Sequence, residues 1–585
     1  MSALGTAQPW WKTSVCYQIY PRSFCDANGD GFGDIAGIRS KIDYLADLGV
    51  EVVWFSPMYV SPQQDNGYDI ADYDHIDPRF GTDAEFDQMV AEFHDRGIRV
   101  VMDLVVNHTS DQHPWFQDAL AGGRYRDYYI WRQARTMPVS NQPQPATSPN
   151  AAAPTGELVA RGDEPNDWQS FFSGPAWTWH APSQEYYLHL FANGQPDLNW
   201  DNPQLREDIF AMMRRWIDRG VDGFRMDVIN LISKPEDLET EPMKPFGPHF
   251  HDYLQQMRRE VFDAFPGRVF FTVGETPGAT IADARATTDP LRRELDMVFQ
   301  FEHVGLDHNH GNKFDPKPLH LPDLKHSLAR WNQGLHQRGW NSLYLENHDQ
   351  PRSVSRFGDD RTYWAPSATA LAAMLHAHQG TPFIYQGQEL GMTNYPFRDV
   401  SEFEDIESIN YATVRSQTDR VRVADLMPGL RYSSRDNART PMQWCDGTNA
   451  GFTTGTPWLG VNPNYHHINA AAQQRDPRSI RSFYQRLIRL RRELPILVEA
   501  DFELRLDDDE ALWWIERHWQ STALTAIGNF GSATRQITLP AGELILDNYS
   551  HLGMPSALAE GGGRSAVPQT VTLAPWQALW WMSRA

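Results

Sequence analysis

The chain has 585 residues, past the size at which a single hydrophobic core stops growing, so one large domain with one or two appended domains is expected. Apolar residues make up 41% and charged residues 22%, ordinary globular usage, while the 12% aromatic share with 21 Trp is high. An excess of 75 acidic over 52 basic residues gives a net charge of −23, a surface that repels phosphate backbones and anionic membranes and so excludes nucleic acid and membrane partners.

The first residues, MSALGTAQPWWKTS, lack a basic segment followed by an apolar one, and no run of 18 apolar residues occurs, so neither a standard export signal nor a membrane span is expected. Three scattered cysteines, Cys16, Cys25 and Cys445, suit reduced thiols in a cytoplasm better than a disulfide framework or a zinc site.

From about residue 15 to about residue 390, short β-rich apolar runs alternate with amphipathic ones. The predicted strands are VCYQIYP (15–21), VEVVWFSP (50–57), IRVVMDLVVNH (98–108), VDGFRMDV (221–228), RVFFTVGE (268–275), ELDMVFQFEH (294–303), WNSLYLENHD (340–349) and TPFIYQGQE (381–389). Between them lie predicted helices such as 83–97 and 203–220, the latter opening at Asn202-Pro203 and closing on Gly220. Eight strands with intervening helices imply an α/β fold, a closed (β/α)8 TIM barrel.

The third and fourth strands are too far apart for one helix between them, so residues 109–180 are expected to form an inserted subdomain, leaving 1–108 and 181–499 as the barrel. Within the insertion, 137–158 is rich in Pro, Ala, Ser and Asn and reads as a surface loop. After a last helical pattern at 478–494, alternating segments such as ALWWIERHW predict a small antiparallel, sandwich-like β-domain over 500–585.

In such a barrel the reactive groups stand at the C-terminal ends of the strands. The third strand ends in Asp103 and Asn107-His108, the fourth in Arg225 and Asp227, the fifth in Glu275, and the seventh in Asn347-His348-Asp349. A lone Asp or Asn at a strand end commonly starts a turn. Three carboxylates converging on one small volume cost stability through repulsion and burial, and that points to chemistry.

Two carboxyl groups about 5 Å apart suit double displacement at a sugar carbon. Asp227 would attack, kept ionised by Arg225 two residues earlier on the same strand face. Glu275 would begin protonated, its pKa raised by the apolar run before it.

Seven ordered stretches resemble glycoside hydrolase family 13, the α-amylase family, and within it the oligo-1,6-glucosidase group: DLVVNH (103–108), QPDLNW (195–200), DGFRMDVIN (222–230), GET (274–276), ENHDQPR (346–352), ARTPMQW (438–444) and NAGFTTGTPW (449–458). The resemblance implies that Asp227 is the nucleophile, Glu275 the acid/base and Asp349 the third carboxylate. It also implies that Asp65 and Tyr68 in DNGYD, with His108, Arg225, His348 and Arg439, line the subsite for the non-reducing glucose, Asp65 pairing with Arg439 to close the pocket. A blind pocket implies exo-action on short α-glucosides. Val228, after the nucleophile, accompanies α-1,6 preference in similar chains, whereas Thr there accompanies α-1,4 preference.

DANGDGFGD (26–34) sets Asp26, Asn28, Asp30 and Asp34 around glycines, hard oxygen ligands suited to calcium, although no Glu closes an EF-hand loop. A Gly-rich turn with solvated acids is the plain alternative. The resemblance implies a structural Ca2+ held by this loop, with Phe32 in the ligand set.

Four rival activities remain in view. Silent transporter-associated barrels share this resemblance but need a membrane helix and commonly lack part of the triad. Sucrose isomerases would carry an Arg-Leu-Asp-Arg-Asp stretch where this chain reads FEHVGLDHNHGNKF (301–314). Trehalose-6-phosphate hydrolases need a local basic cluster for the phosphate. Transglucosylation competes with hydrolysis for one glucosyl-enzyme. Oligomeric state is not legible.

Overall fold

The computed structural model describes residues 9–135, 163–556, 558 and 563–584. Each of the eight predicted runs contributes one barrel strand: β1 (Cys16–Ile19), β2 (Val52–Phe55), β3 (Arg99–Leu104), β4 (Gly223–Met226), β5 (Phe271–Glu275), β6 (Met297–Phe299), β7 (Ser342–Leu343) and β8 (Thr381–Tyr385). Every neighbouring pair is parallel, and β8 returns to β1. The circle closes between β6 and β7 through one parallel bridge, Val298 to Asn341.

Continuous apolar runs suit these strands because both faces are covered, the inner by the lumen and the outer by helices. The lumen is filled by Val52, Trp54, Val101, Phe271, Met297, Phe299 and Phe383. The strands are shorter than the predicted runs, so Asn107-His108, Asp227 and Asp349 lie just beyond strand ends, at the barrel mouth.

Helix boundaries follow their caps. Thr82 and Glu85 form a capping box that starts Asp83–His94, and the Asn202 side chain accepts from Gln204 N and Leu205 N to start Pro203–Asp218. Gly220, at φ 104°, takes the left-handed position that turns the chain into β4.

Two excursions build the mouth. After β2, Tyr59–Val60 pairs antiparallel with Asp72–Ile76, and the DNGYD loop (65–69) lies between them. After β3, a three-stranded antiparallel sheet sets Glu185–Leu188 between Trp131–Gln133 and Trp177–His180, so the insertion's sheet runs past residue 180. The Pro/Ala-rich stretch 137–158 lies outside the described residues. Bridges His108 to Asp197 and Tyr129 to Leu198 stitch QPDLNW to the end of β3 and to the insertion.

After helix Ile480–Glu493, a six-stranded antiparallel sheet and a two-stranded sheet (Arg535–Leu539 with Gln569–Leu573) form the C-terminal domain. It docks through buried Trp513 and Trp580, Trp580 Nε1 donating to Ala373 O at 3.1 Å on a barrel helix. Each ring removes about 150–250 Å2 from water, roughly 4–6 kcal/mol at about 25 cal/mol/Å2 before ordering entropy is subtracted. Arg517, also buried, donates to Ala377 O at 2.8 Å and Ala500 O at 2.9 Å, fastening both sides of the junction. Among the described residues no helix is long and apolar enough to cross a membrane, and the three cysteines are free.

Candidate active site

Arg225, on β4, stands at the centre. Its Nη1 donates to Asp103 Oδ1 at 2.9 Å and Asp227 Oδ1 at 2.6 Å, while Nη2 lies 2.8 Å from Glu275 Oε2. One guanidinium thus contacts both Asp227 and Glu275. Trp54 forms the floor, donating from Nε1 to Asp103 Oδ2 at 3.1 Å, and Tyr68 OH donates to the same oxygen at 3.0 Å.

The sequence assigns Arg225's charge to Asp227. The structure divides it among three buried carboxylates, which it cannot all neutralise. Burial raises Asp227 to about 7, with Arg225 opposing and Asp103 adding repulsion. Burial likewise raises Glu275 to about 7, again against Arg225, with Asp227 and Asp349 adding repulsion. The pair therefore holds a proton near neutrality and titrates as a unit. Arg225 and the neighbouring Glu275 side chain oppose that rise at Asp227, which favours its ionised form.

Val228 follows Asp227 in a left-handed conformation, φ 34° and ψ 40°, rare for a β-branched residue. Strain of this kind costs about 1–3 kcal/mol and persists only where the surroundings over-determine it. Here the turn aims Val228 N at Glu275 Oε2, 3.0 Å away, and sets the isopropyl group in the cavity wall.

Asp349 is held differently. Gln18 Nε2 donates to His348 Nδ1 at 2.8 Å, which leaves the imidazole proton on Nε2, 3.0 Å from Asp349 Oδ2. Arg439 Nη2 donates to Asp349 Oδ1 at 2.8 Å, and Arg435 Nη1 reaches the same oxygen at 3.4 Å. Burial works against the charge, yet His348, Arg435 and Arg439 hold Asp349 well below the usual carboxylate range. Tyr68 stacks on His348 at 5.1 Å between centroids.

The closed end departs from expectation. Asp65 pairs with Arg435, whose Nη2 donates to Asp65 Oδ1 at 3.1 Å, and not with Arg439. Arg439 is fully buried, with Nε on His348 O and Nη2 on Asp349, and so sits one layer behind the cavity. Arg435 precedes Arg439 by four residues, so one helical turn places both on the same side, and the nearer one takes Asp65. Arg435 also grips Asp405 Oδ1 at 2.6 Å.

Gln195 completes this end, donating from Nε2 to Asp65 Oδ2 at 3.1 Å and Tyr68 O at 3.2 Å, while His108 Nε2 meets Tyr68 O at 3.0 Å. Lys234 Nζ ties Asp197 at 2.7 Å to Asn107 Oδ1 at 2.8 Å. Arg435, Gln195, Lys234 and Gln18 were missed in the sequence. Gln195 lies inside a recognised stretch and Arg435 one turn from a named residue, signals that could have found both.

These groups border a cavity of about 550 Å3, within the range of small-molecule sites. Asp65, Tyr68, His108, Asp227, Val228, Glu275 and Asp349 all line it; Arg225, His348 and Arg439 stand behind. Phe171, Phe172 and Phe191 form one wall, and Phe301, Phe314 and Tyr411 form the other.

The 26–34 loop lies apart from Asp227, Glu275 and Asp349. Asp26 accepts from Asn28 N, Gly29 N and Gly31 N, Asn28 Oδ1 from Asp30 N, and Asp30 Oδ1 from Phe32 N. Asp34 caps the following helix through Gly37 N at 2.6 Å. The donor set is all oxygen, the chemistry of a hard cation, but much of its accepting capacity is already used by main-chain N–H groups.

The chain is matched over residues 18–500 by the family described as alpha amylase, catalytic domain. It is similar to an oligo-1,6-glucosidase of Parageobacillus thermoglucosidasius, 49% identical over 92% of this chain and 95% of that one. It is also similar to a glucan 1,6-alpha-glucosidase of Streptococcus pneumoniae, 44% identical over 98% and 99%. Among solved structures, a Bacillus licheniformis trehalose-6-phosphate hydrolase superposes with a TM-score of 0.87 at 41% identity, over 98% of this chain and all of that one.

Proposed function

The chain belongs to the alpha-amylase catalytic-domain family and is a glycoside hydrolase; from that premise we propose that it is a retaining exo-α-glucosidase that releases glucose from short α-glucosides and favours α-1,6 linkages. The carrying observation is the closed end of the cavity, where Arg435 joins buried Asp65 to the partly exposed Asp349 in one ion chain. A groove open at both ends admits the middle of a polymer, whereas this pocket admits a terminal sugar.

In this mechanism Asp227 attacks the anomeric carbon while Glu275 gives its proton to the departing oxygen. The glucosyl ester on Asp227 is then cleaved by water, whose proton returns to Glu275. Asp349, held anionic, accepts sugar hydroxyls and opposes the positive charge that develops on the ring. A sugar hydroxyl can replace the water, which gives transglucosylation.

Val228 supports the linkage preference by presenting methyl groups, without a hydroxyl, beside the leaving group. Phosphorylated substrates are disfavoured because the lining cations Lys313 and Arg435 are already paired with Glu407, Asp65 and Asp349. That leaves no uncommitted Lys or Arg for a phosphate among the described lining residues.

A structural calcium on Asp26, Asn28, Asp30, Asp34 and the Phe32 carbonyl, and a cytoplasmic location, belong to the same proposal. The deciding experiment is glucose release from isomaltose, panose, maltose, sucrose, trehalose and trehalose-6-phosphate. Isomaltose and panose are expected to lead; trehalose-6-phosphate in first place overturns the reading.

A further inference from the structure

Beyond the glucose subsite, one buried cation organises the side from which the second sugar must leave. Arg356 ends the short helix Ser353–Arg356 and is 5% exposed. It grips Asp307 with two nitrogens, Nε to Oδ2 at 2.8 Å and Nη2 to Oδ1 at 2.6 Å, and Tyr432 OH donates to Asp307 Oδ2 at 3.0 Å. Its remaining donors go to the cavity wall. Nη1 donates to Gln350 Oε1 at 2.7 Å, and Nη2 reaches Val304 O and His308 Nε2, the latter at 3.1 Å. Val304, His308 and Gln350 all line the cavity.

These contacts fix atom roles. An Arg nitrogen can only donate, so it must meet the oxygen of the Gln350 amide, which leaves Nε2 as a donor with no acceptor among the described residues. Nη2 has two hydrogens for three acceptors, Asp307 Oδ1, Val304 O and His308 Nε2, and Nε2 also lies 3.4 Å from Asp307 Oδ1, so Arg356 and Asp307 together hold the His308 ring in place without fixing its tautomer. Gln350 therefore presents a donor and His308 its other ring nitrogen, both held in place by one guanidinium. Asp307 and His308 lie within 301–314, the stretch in which this chain departs from a sucrose-isomerase pattern.

We propose that Arg356 is the positioning residue of the acceptor side, fixing the Gln350 amide as a donor and holding His308 beside it to meet the hydroxyls of the departing or incoming sugar. The proposal deepens the α-glucosidase reading and rests on it. The test compares isomaltose with α-glucosyl fluoride, whose leaving group is too small to need the acceptor side.

Arg356→Met is expected to lower kcat/KM for isomaltose about tenfold, to keep α-glucosyl fluoride hydrolysis near wild type, and to reduce transfer to added glucose relative to water. Asp307→Asn, which keeps shape and loses charge, is expected to show the same split in weaker form and covers the case in which Arg356→Met fails to fold. Equal losses on both substrates, or no loss on isomaltose, overturn the proposal. Failure of the unaltered protein to cleave α-glucosyl fluoride overturns the α-glucosidase reading instead.

Discussion

The two ends of the cavity are built to different standards. At the closed end Asp65, Asp349 and Asp405 share Arg435, and Asp349 meets Arg439 and His348 as well. At the acceptor end one buried pair, Arg356 with Asp307, holds His308, whereas the rest of the hairpin His308–Asn309 with Asn312–Pro316 leans on helix Ile406–Gln417 through a partly exposed Lys313–Glu407 pair. Buried, multiply bonded charges tolerate one geometry; a wet ion pair and a hairpin tolerate several. The acceptor side can thus be reshaped without disturbing the closed end.

The largest test concerns the chemistry both ends share. Asp227→Ala is expected to lower kcat on p-nitrophenyl α-glucoside by on the order of 10^4-fold, with a circular-dichroism melt no lower than the parent's because one of three crowded carboxylates is gone. Activity near wild type would remove Asp227 from its role.

Next, Arg435→Leu strips the closed end of its shared cation and leaves Asp65 and Asp405 buried without it. Breaking buried pairs in this way costs about 3–5 kcal/mol, to be read by urea unfolding. A loss below about 1 kcal/mol, the usual worth of an exposed pair, would erase the contrast between the two ends. Lys313→Ala at the other end is expected to stay below that figure.

The pH dependence of stability separates the centre from the closed end. Asp227 and Glu275 are raised from 3.8 and 4.5 to about 7, so the folded state holds their protons more tightly than the unfolded chain. Their contribution is fully present below about pH 4 and is lost as the pH rises through 7. Asp349, held low, contributes in the opposite sense, present above its ordinary value and lost as the medium acidifies. Thermal melts from pH 4 to 8 on Asp227→Asn and Glu275→Gln are expected to show a shallower decline than the parent; an unchanged slope contradicts the shared-proton account.

The smallest expected effect is at the linkage. Val228→Thr should shift the isomaltose-to-maltose ratio toward maltose by about 1–3 kcal/mol at most, and an unchanged ratio would detach linkage choice from this side chain.

Much of this site could be read from the sequence because parallel strands covered on both faces show as continuous apolar runs, which made Asp227, Glu275 and Asp349 visible as acids at their ends. What could not be read depends on contacts far apart in the chain. Arg435 and Asp65 are 370 residues apart, and two arginines one turn apart, Arg435 and Arg439, do not by themselves say which faces the pocket. Gln18 and Lys234 look like ordinary strand and loop residues until folding brings them to His348 and Asp197. The left-handed turn at Val228 runs against the preference of a β-branched residue and shows only in the backbone.

The single bridge that closes the barrel between β6 and β7 bears on where the molecule breathes. Four paired positions hold β2 to β3, but one holds this seam, and the chain leaving β6 becomes the acceptor wall while the chain leaving β7 carries Asp349. In deuterium exchange the amides flanking this joint are expected to lead those of β2 and β3, a local opening set by ladder length. The barrel's least-laced edge and its acceptor wall are then one region, and reshaping the acceptor side need not disturb the strands that hold Arg225 and Glu275.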